Sequence, residues 1–166
     1  YGSAAALIFN KLFFPTLDPI SGILAAFATY TVGFIGRPLG GILFGHFGDR
    51  IGRKSMLLLT LLLMGIPTVL IGLLPTYASI GYWAAVLLVV LRFVQGMAMG
   101  GEWGVGSALT METVPTHARG FVSGLLQAGY PSGYLLASVV FGLFYQYIGW
   151  RGMFMVGVLP ALLVLY

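Results

Sequence analysis

The feature that most constrains this chain is the length of its uncharged stretches. No Asp, Glu, Lys or Arg occurs between Lys54 and Arg92, or between Arg119 and Arg151. A membrane-spanning helix needs roughly 20 consecutive apolar residues, so each stretch is long enough to cross a bilayer at least once. The sequence therefore predicts an all-α, polytopic membrane protein embedded in a lipid bilayer.

Composition excludes several other classes of protein. Charged residues make up 7% of the chain, whereas soluble domains carry about 25%. The absence of cysteine excludes disulfide scaffolds, zinc fingers and cysteine nucleophiles. The net charge is +4, but no run of Lys and Arg forms a nucleic-acid patch. We therefore expect no nucleic-acid partner. Because neither a H-E-x-x-H zinc motif nor a G-x-S-x-G elbow occurs, we also expect no enzyme activity and no metal.

Turn residues divide the apolar stretches into spans. Pro75 and the small polar residues that follow it interrupt the first uncharged stretch. We expect four complete spans, at about 20–47, 55–74, 82–111 and 120–148. The apolar segments 1–14 and 153–166 are too short to cross, so we expect them to be parts of two further spans of a larger bundle.

The positions of Lys and Arg predict the orientation. Cytoplasmic loops of membrane proteins carry an excess of these residues. One side of the predicted bundle holds four of them and the other side two: Arg50, Arg53, Lys54 and Arg119 against Lys11 and Arg151. We therefore expect the Arg50–Lys54 loop to face the cytoplasm, in the inner (cytoplasmic) membrane of a cell.

Three charged residues fall inside predicted spans: Arg37, Arg92 and Glu102. A charge at the centre of a bilayer costs at least ~2.5–3.5 kcal/mol, so such residues usually face a cavity or a partner. Arg92 lies near the middle of its span. Arg37 lies nearer the cytoplasmic end of its span, where a side chain that snorkels to the interface is the alternative.

The predicted fifth span of the bundle, 120–148, carries a polar stripe. At ~100° per residue, its polar side chains fall within an arc of about 80°: Ser123, Gln127, Tyr130, Tyr134, Ser138 and Tyr145. On the preceding span, Gln95 and Glu102 are nearly aligned. A stripe of this kind is typical of a water-filled path, and the alternative is a polar seam between two helices.

Glycines that stand four residues apart predict close packing of helix backbones. The pairs are Gly36/Gly40, Gly41/Gly45, Gly96/Gly100, Gly100/Gly104, Gly120/Gly124 and Gly129/Gly133. Pro38 and Pro131 lie inside spans, where a kink beside a cavity is tolerated.

Residues 45–54, GHFGDRIGRK, resemble the loop signature G-x-x-x-D-R-x-G-R-[RK] of the major facilitator superfamily. The loop also lies where that family has it, between the second and third spans. Gly45 permits a close helix contact, Gly52 permits a tight turn, and Asp49 suits a helix terminus. The resemblance implies a cytoplasmic charge network that controls the conformation of the bundle: Gly45, Asp49, Arg50, Gly52, Arg53, Lys54, Glu112 and Arg119.

A second motif agrees with the first. Residues 92–96, RFVQG, resemble the family's R-x-x-Q-G pattern in the fourth span, and Gln127 aligns with a glutamine that contacts substrate in sugar porters. Residues 33–42 resemble metabolite:proton symporters. The segment from about Gly101 to Gly152 resembles sialate and monocarboxylate symporters. Both groups carry carboxylates.

The resemblance implies the N-terminal half of a proton-coupled carboxylate transporter that works by alternating access. Expected substrate contacts are Arg92, Gln95, Gln127, Tyr130, Tyr134 and Arg37, and Glu102 is the candidate for proton coupling. The expected partners are a small carboxylate or zwitterion, protons and a C-terminal half of the same transporter. No cofactor is expected, since a proton gradient drives transport. The alternatives are a small half-transporter that acts as a homodimer, and a membrane scaffold that transports nothing.

Overall fold

The computed structural model describes residues 8–159, and every regular element in that range is helical. The α-helices are α1 (Asn10–Phe13), α2 (Pro19–Ile51), α3 (Arg53–Leu73), α4 (Tyr77–Ile80), α5 (Tyr82–Thr113) and α6 (Arg119–Val156), with a short 3₁₀ turn at Thr116–Ala118 before α6. The all-α fold class is therefore confirmed. The outer parts of the segments expected at 1–14 and 153–166 lie outside the described residues.

Local sequence sets where α2 begins and ends. Asp18 caps its first turn and accepts a hydrogen bond from the Ser21 amide at 3.2 Å, while Pro19 occupies the first helical position. Hydrogen bonds from Ser21 hold the pKa of the Asp18 carboxyl below its ordinary value. At the other end, Gly52 alone separates α2 from α3, with a φ of 112° that favours glycine. The turn role predicted for Gly52 is confirmed.

Among residues 8–159, three helices are long and apolar enough to cross a membrane: α2, α3 and α5. The helix expected over 120–148 is also present within α6, but it is not among these three. Polar residues such as Gln127 and Tyr134, together with Pro131, lower its mean hydropathy. A backbone break at Gly149, with a φ of 63°, separates this part of α6 from its last residues.

Glycines bring α2 and α5 into backbone contact. A Cβ atom on Gly96 would collide with the carbonyl oxygen of Gly33, and one on Gly100 would collide with that of Arg37. On the α2 side, a Cβ on Gly40 would collide with the backbone of Met97. Only glycine fits at these positions, so the packing predicted from the four-residue spacing is correct for this crossing.

The same spacing is misleading elsewhere. A Cβ on Gly45 would meet no atom within 4 Å among the described residues, so the helix contact expected at Gly45 stays a prediction. Gly48 instead faces its neighbours, with its would-be Cβ 3.3 Å from Val105. Open space also surrounds four glycines of α6: Gly120, Gly124, Gly129 and Gly133. Gly129 and Gly133 border a cavity, and α6 stands away from α2 and α5, with nearly all of residues 119–148 exposed.

A compact apolar core closes one end of the bundle. Phe9 and Phe13 are fully buried there against Ile71, Leu88 and Phe154. The rings of Phe9 and Phe154 stack with centroids 6.0 Å apart. This end holds the start of α2, the end of α3 and the start of α5. The opposite end, where α2 meets α3, carries the Asp49–Lys54 residues.

Candidate functional site

A cavity of about 700 Å³ opens between α3, α5 and α6. Its walls come from the first half of α3, the second half of α5 and the first half of α6. These halves share one end of the bundle, because α5 runs antiparallel to both other helices. The cavity therefore lies toward the end that carries Asp49 and Arg53, away from the apolar core.

Polar groups from two helices face each other in this cavity. Glu102 of α5 is half-buried in one wall, and Gln127, Tyr130 and Tyr134 of α6 belong to the other. Within residues 8–159 the Glu102 carboxylate has no ion pair or hydrogen bond. The rest of the lining is mainly apolar, with Leu57, Leu61, Met64 and Leu126 among its members. A wall of this kind binds a small polar molecule by a few oriented groups on an apolar surface.

The polar stripe of α6 contributes only in part. Ser123, Gln127, Tyr130 and Tyr134 line the cavity, whereas Ser138 and Tyr145 do not. The Tyr145 ring stacks on Phe141 of the same helix, with centroids 4.9 Å apart. The stripe continues along the helix, but α3 and α5 face only its first half.

Arg92 and Gln95 lie outside the cavity, in a polar cluster between helices. Arg92 Nη1 donates to Gln95 Oε1 at 3.1 Å, and Gln95 Nε2 donates to Thr68 Oγ1 at 2.6 Å. The guanidinium carbon of Arg92 also lies 5.1 Å from the centre of the Tyr30 ring. This cluster therefore connects α2, α3 and α5.

Neither Arg92 nor Gln95 lines the larger cavity, and their expected contact with substrate stays a prediction. A Cβ on Gly33 would lie 2.9 Å from Arg92 Nε, so this glycine leaves room for the guanidinium against α2. Gln95 is 9% exposed: its Oε1 accepts from Arg92 of the same helix, and its Nε2 donates to Thr68 of α3. The close crossing of α2 and α5 turns these side chains into the interior of the bundle.

Arg37 lines a second, smaller cavity of about 580 Å³ with Phe34, Pro38, Met99, Gly100 and Trp103. Its Nη2 lies 3.0 Å from Met99 Sδ, and its guanidinium carbon lies 4.2 Å from the centre of the Phe34 ring. Because α2 continues to Ile51, Arg37 is about 20 Å from the nearer end of the helix. The helix is longer than a bilayer is thick, so the alternative of a side chain that snorkels to the interface stays open.

An ion-pair network joins three helix ends near the mouth of the larger cavity. Arg53 Nη2 lies 3.2 Å from Asp49 Oδ1 and 3.2 Å from Glu112 Oε1. Arg119 is not part of it, since its Nε donates to the Val114 carbonyl at 3.3 Å. The short connection between α5 and α6 places Arg119 beside that carbonyl.

Arg50 and Lys54 flank this network without joining it. Both side chains are exposed, and neither forms an ion pair with any residue in the described range. Their position next to the membrane end is typical of topology-determining charges. Across the same described residues, no three His, Asp or Glu side chains cluster as metal ligands would.

Sequence reasoning missed three residues of these sites. Thr68 accepts a hydrogen bond from the Gln95 amide, and the signal for it was a hydroxyl beside Pro67 in a leucine-rich helix. Met99 and Trp103 belong to the walls of both cavities. Trp103 lies next to Glu102 in the sequence, and this large ring in mid-helix was the available signal.

Comparison with known proteins agrees with the fold. The sequence model of the family described as Major Facilitator Superfamily matches residues 2–166. The chain is 56% identical over 138 residues to a shikimate transporter of Escherichia coli, covering 83% of this chain and 32% of the relative. It is 41% identical over 174 residues to an inner membrane metabolite transport protein of the same species, covering 100% of this chain and 40% of the relative.

A proline/betaine transporter of Salmonella typhimurium is 41% identical over 149 residues, covering 90% of this chain and 30% of the relative. The chain thus spans about a third of the length of these curated relatives. Among solved structures, the inward-open xylose transporter of Escherichia coli matches with a TM-score of 0.82 and 23% identity. That match covers 99% of this chain and 41% of the solved chain.

Proposed function

This chain belongs to the major facilitator superfamily, and we propose that it forms the N-terminal half of a proton-coupled carboxylate transporter in the inner membrane. Its fold is the membrane helix bundle of that family. In such transporters, substrate binds near the midplane between repeated halves, and access alternates between the two sides of the membrane. A second half, supplied by the rest of the transporter, then completes the substrate site.

The observation that carries the proposal is the cavity between α3, α5 and α6. It places the half-buried Glu102 opposite Gln127, Tyr130 and Tyr134 within a mainly apolar wall. A scaffold has no need of a carboxylate held in a membrane helix with no partner in the described residues, because such a charge costs ~2.5–3.5 kcal/mol. A transporter that binds and releases a proton has that need.

The relatives favour a substrate with a carboxylate. Shikimate, proline and betaine differ in size and net charge, but each carries one carboxylate group. The transporter named for shikimate is 56% identical over 83% of this chain. The transporter named for proline and betaine is 41% identical over 90% of this chain. We propose that the substrate of this protein is likewise a small carboxylate or zwitterion.

Each group of residues then has a defined task. Gln127, Tyr130 and Tyr134 hydrogen-bond the substrate from α6. Glu102 takes up and releases the coupling proton. Arg92 and Gln95 fix α5 against α2 and α3, so that the cavity wall keeps its shape during the cycle.

The Asp49–Arg53–Glu112 network acts as a cytoplasmic latch. It joins the ends of α2 and α5 at the mouth of the cavity through the first residue of α3. Rearrangement of the helices during alternating access must stretch or break these contacts. The network therefore favours one conformation over the other.

The experiment is uptake into proteoliposomes that contain the full-length protein. An inward proton gradient is imposed, and accumulation of radiolabelled shikimate, proline and betaine is measured with and without a protonophore. We expect at least one of the three compounds to accumulate, and we expect the protonophore to abolish this accumulation. The Gln127→Ala variant should accumulate less of the same compound. Uptake that ignores the gradient would contradict proton coupling, and no uptake of any of the three would contradict the proposed substrate class.

A further inference from the structure

Arg37 and Arg92 both lie within helices long and apolar enough to cross a membrane, and of these two residues Arg37 lines a cavity described above. Arg92 is engaged by Gln95 and stands over Tyr30, in the cluster between α2, α3 and α5. Arg37 instead lines the cavity of about 580 Å³ beside Phe34 and Trp103. A ligand can therefore reach Arg37 from the smaller cavity, whereas Arg92 is held between helices.

The contacts of Arg37 are weak for a guanidinium. It carries five N–H donors in a planar fork. Its acceptor within the described residues is the Met99 thioether, at 3.0 Å from Nη2, and sulfur of this kind accepts hydrogen bonds poorly. The Phe34 ring, 4.2 Å away, interacts with the charge but accepts no hydrogen bond along the fork.

The cavity that Arg37 lines decides which anions can reach it. A small anion that enters the bundle can reach it. A carboxylate fits the planar fork through two parallel hydrogen bonds.

The two cavities adjoin across one turn of α5. Met99 and Trp103 belong to the walls of both. A ligand held by Gln127 and Tyr130 in the larger cavity must extend past Trp103 to reach Arg37 on α2. Its apolar body then packs on the exposed Trp103 and Phe34 rings.

From this geometry we propose that Arg37, and not Arg92, binds the carboxylate group of the transported substrate and sets the preference for acids. This inference rests on the proposed function and goes further, since it assigns the charge that selects the substrate. It also gives Trp103 and Met99 a role as the edge over which the ligand lies.

The test measures binding to the purified full-length protein by calorimetry. The probes are shikimate, proline and betaine, each compared with its own primary carboxamide, which keeps the shape and removes the charge. We expect the unaltered protein to bind at least one acid about 10- to 100-fold more tightly than its amide, the range expected for charge-assisted hydrogen bonds. Arg37→Gln should abolish this preference, and Arg37→Lys should retain part of it, because lysine keeps the charge but loses the fork.

Two control variants separate the explanations. Lys11→Gln removes an exposed cation outside both cavities and should leave the acid-over-amide ratio unchanged. Gln127→Ala should weaken the acid and the amide alike, since it removes a contact to another part of the ligand.

The inference is overturned if Arg37→Gln keeps the acid-over-amide ratio of the unaltered protein. If Gln127→Ala weakens binding in that case, the cavity site survives and only the role of Arg37 is wrong. If the unaltered protein binds none of the three acids, or binds acids and amides equally, the proposed substrate class fails together with the inference.

Discussion

Arg53 Nη2 lies 3.2 Å from Glu112 Oε1 and so joins the first residue of α3 to the last turn of α5. The same guanidinium contacts Asp49 at 3.2 Å. The side chains of Asp49 and Glu112 are 69% and 57% exposed, so water screens both pairs. Exposed pairs contribute about 0.2–1 kcal/mol each. Such weak contacts suit the proposed latch, which would have to open in every cycle of the proposed transport.

Asp49→Asn should loosen this latch without unfolding the protein. Removal of one partner weakens the hold of Arg53 on the cavity mouth, and ~0.2–1 kcal/mol corresponds to about a 1.4- to 5-fold change in an equilibrium. The measurement is the labelling rate of a cysteine at Ser107, which lines the cavity. We expect faster labelling from the cytoplasmic side by that factor.

Asp18→Asn is the matched control for Asp49→Asn. Asp18 lies at the opposite end of α2 and caps the helix, a role that asparagine also performs. In the Asp18→Asn variant, the cysteine placed at Ser107 should be labelled at the same rate as in the protein with Asp18. Unchanged labelling and unchanged transport in Asp49→Asn would leave Asp49 with no role beyond the helix end.

The two ion pairs of Arg53 were predictable from the sequence for different reasons. Asp49 and Arg53 are four residues apart across a one-residue link, whereas Glu112 lies far along the chain and was assigned to the network by the family resemblance. Arg119 was assigned to the same network, but a nearby carbonyl binds it first. Sequence spacing shows which charges share an end of the bundle, and it does not show which acceptor each one finds.

The surroundings of Arg37 and Arg92 could not be predicted from the sequence. Helical periodicity gives angles within one helix, whereas the rotation of α5 against α2 is set by Gly33 and Gly96 in backbone contact. That rotation turned Arg92 inward and left Arg37 beside a cavity. The partner of Gln95, Thr68, lies on a third helix, so no spacing within a single span could predict it.

Topology gives a prediction that needs no substrate. Ser55 lies in the first turn of α3, and Ser79 lies in α4, which follows the opposite end of α3. Both residues are exposed. A single cysteine at each position should react with a membrane-impermeant maleimide from opposite sides, Ser55→Cys from the cytoplasm. This chain contains no cysteine, so it adds no background. Labelling of both positions from the same side would contradict the orientation.

The α2–α5 crossing predicts a sharp contrast between two glycines of α5. Gly96→Ala places a methyl group against the Gly33 backbone, where neither helix can yield cheaply. Overpacking of this kind costs about 1–3 kcal/mol. We expect a lower melting temperature in detergent, followed by intrinsic tryptophan fluorescence.

Gly104→Ala is the control for the crossing, two turns further along the same helix. Nothing among the described residues lies within 4 Å of its would-be Cβ. Since alanine is a better helix former by ~1 kcal/mol, this variant should melt at the same temperature or higher. An equal drop in melting temperature in both variants would show that the α2–α5 crossing does not require a glycine at position 96.

The polar cluster between helices predicts a similar contrast at Thr68. Thr68→Val keeps the shape of the side chain but leaves the Gln95 amide without its acceptor, which costs about 1–3 kcal/mol for a buried group. Thr68→Ser keeps the hydroxyl and should lose much less. The free energy of unfolding in denaturant, measured for both variants, checks this. Equal stability of the two variants would mean that the hydroxyl contributes nothing.

Proton coupling provides the last prediction, because Glu102 is the carboxylate in the wall of the larger cavity. Glu102→Gln keeps the size and hydrogen-bonding capacity of the side chain but cannot exchange a proton. If Glu102 carries the coupling proton, this variant should still exchange internal for external substrate in proteoliposomes at a rate within a few-fold of the unaltered protein. It should fail to accumulate substrate against a concentration gradient, whatever proton gradient is imposed. Exchange serves as the internal control, since it requires binding and alternating access but no net proton movement. Accumulation at the level of the unaltered protein would move the coupling site away from Glu102, and loss of exchange as well would make Glu102 a substrate contact.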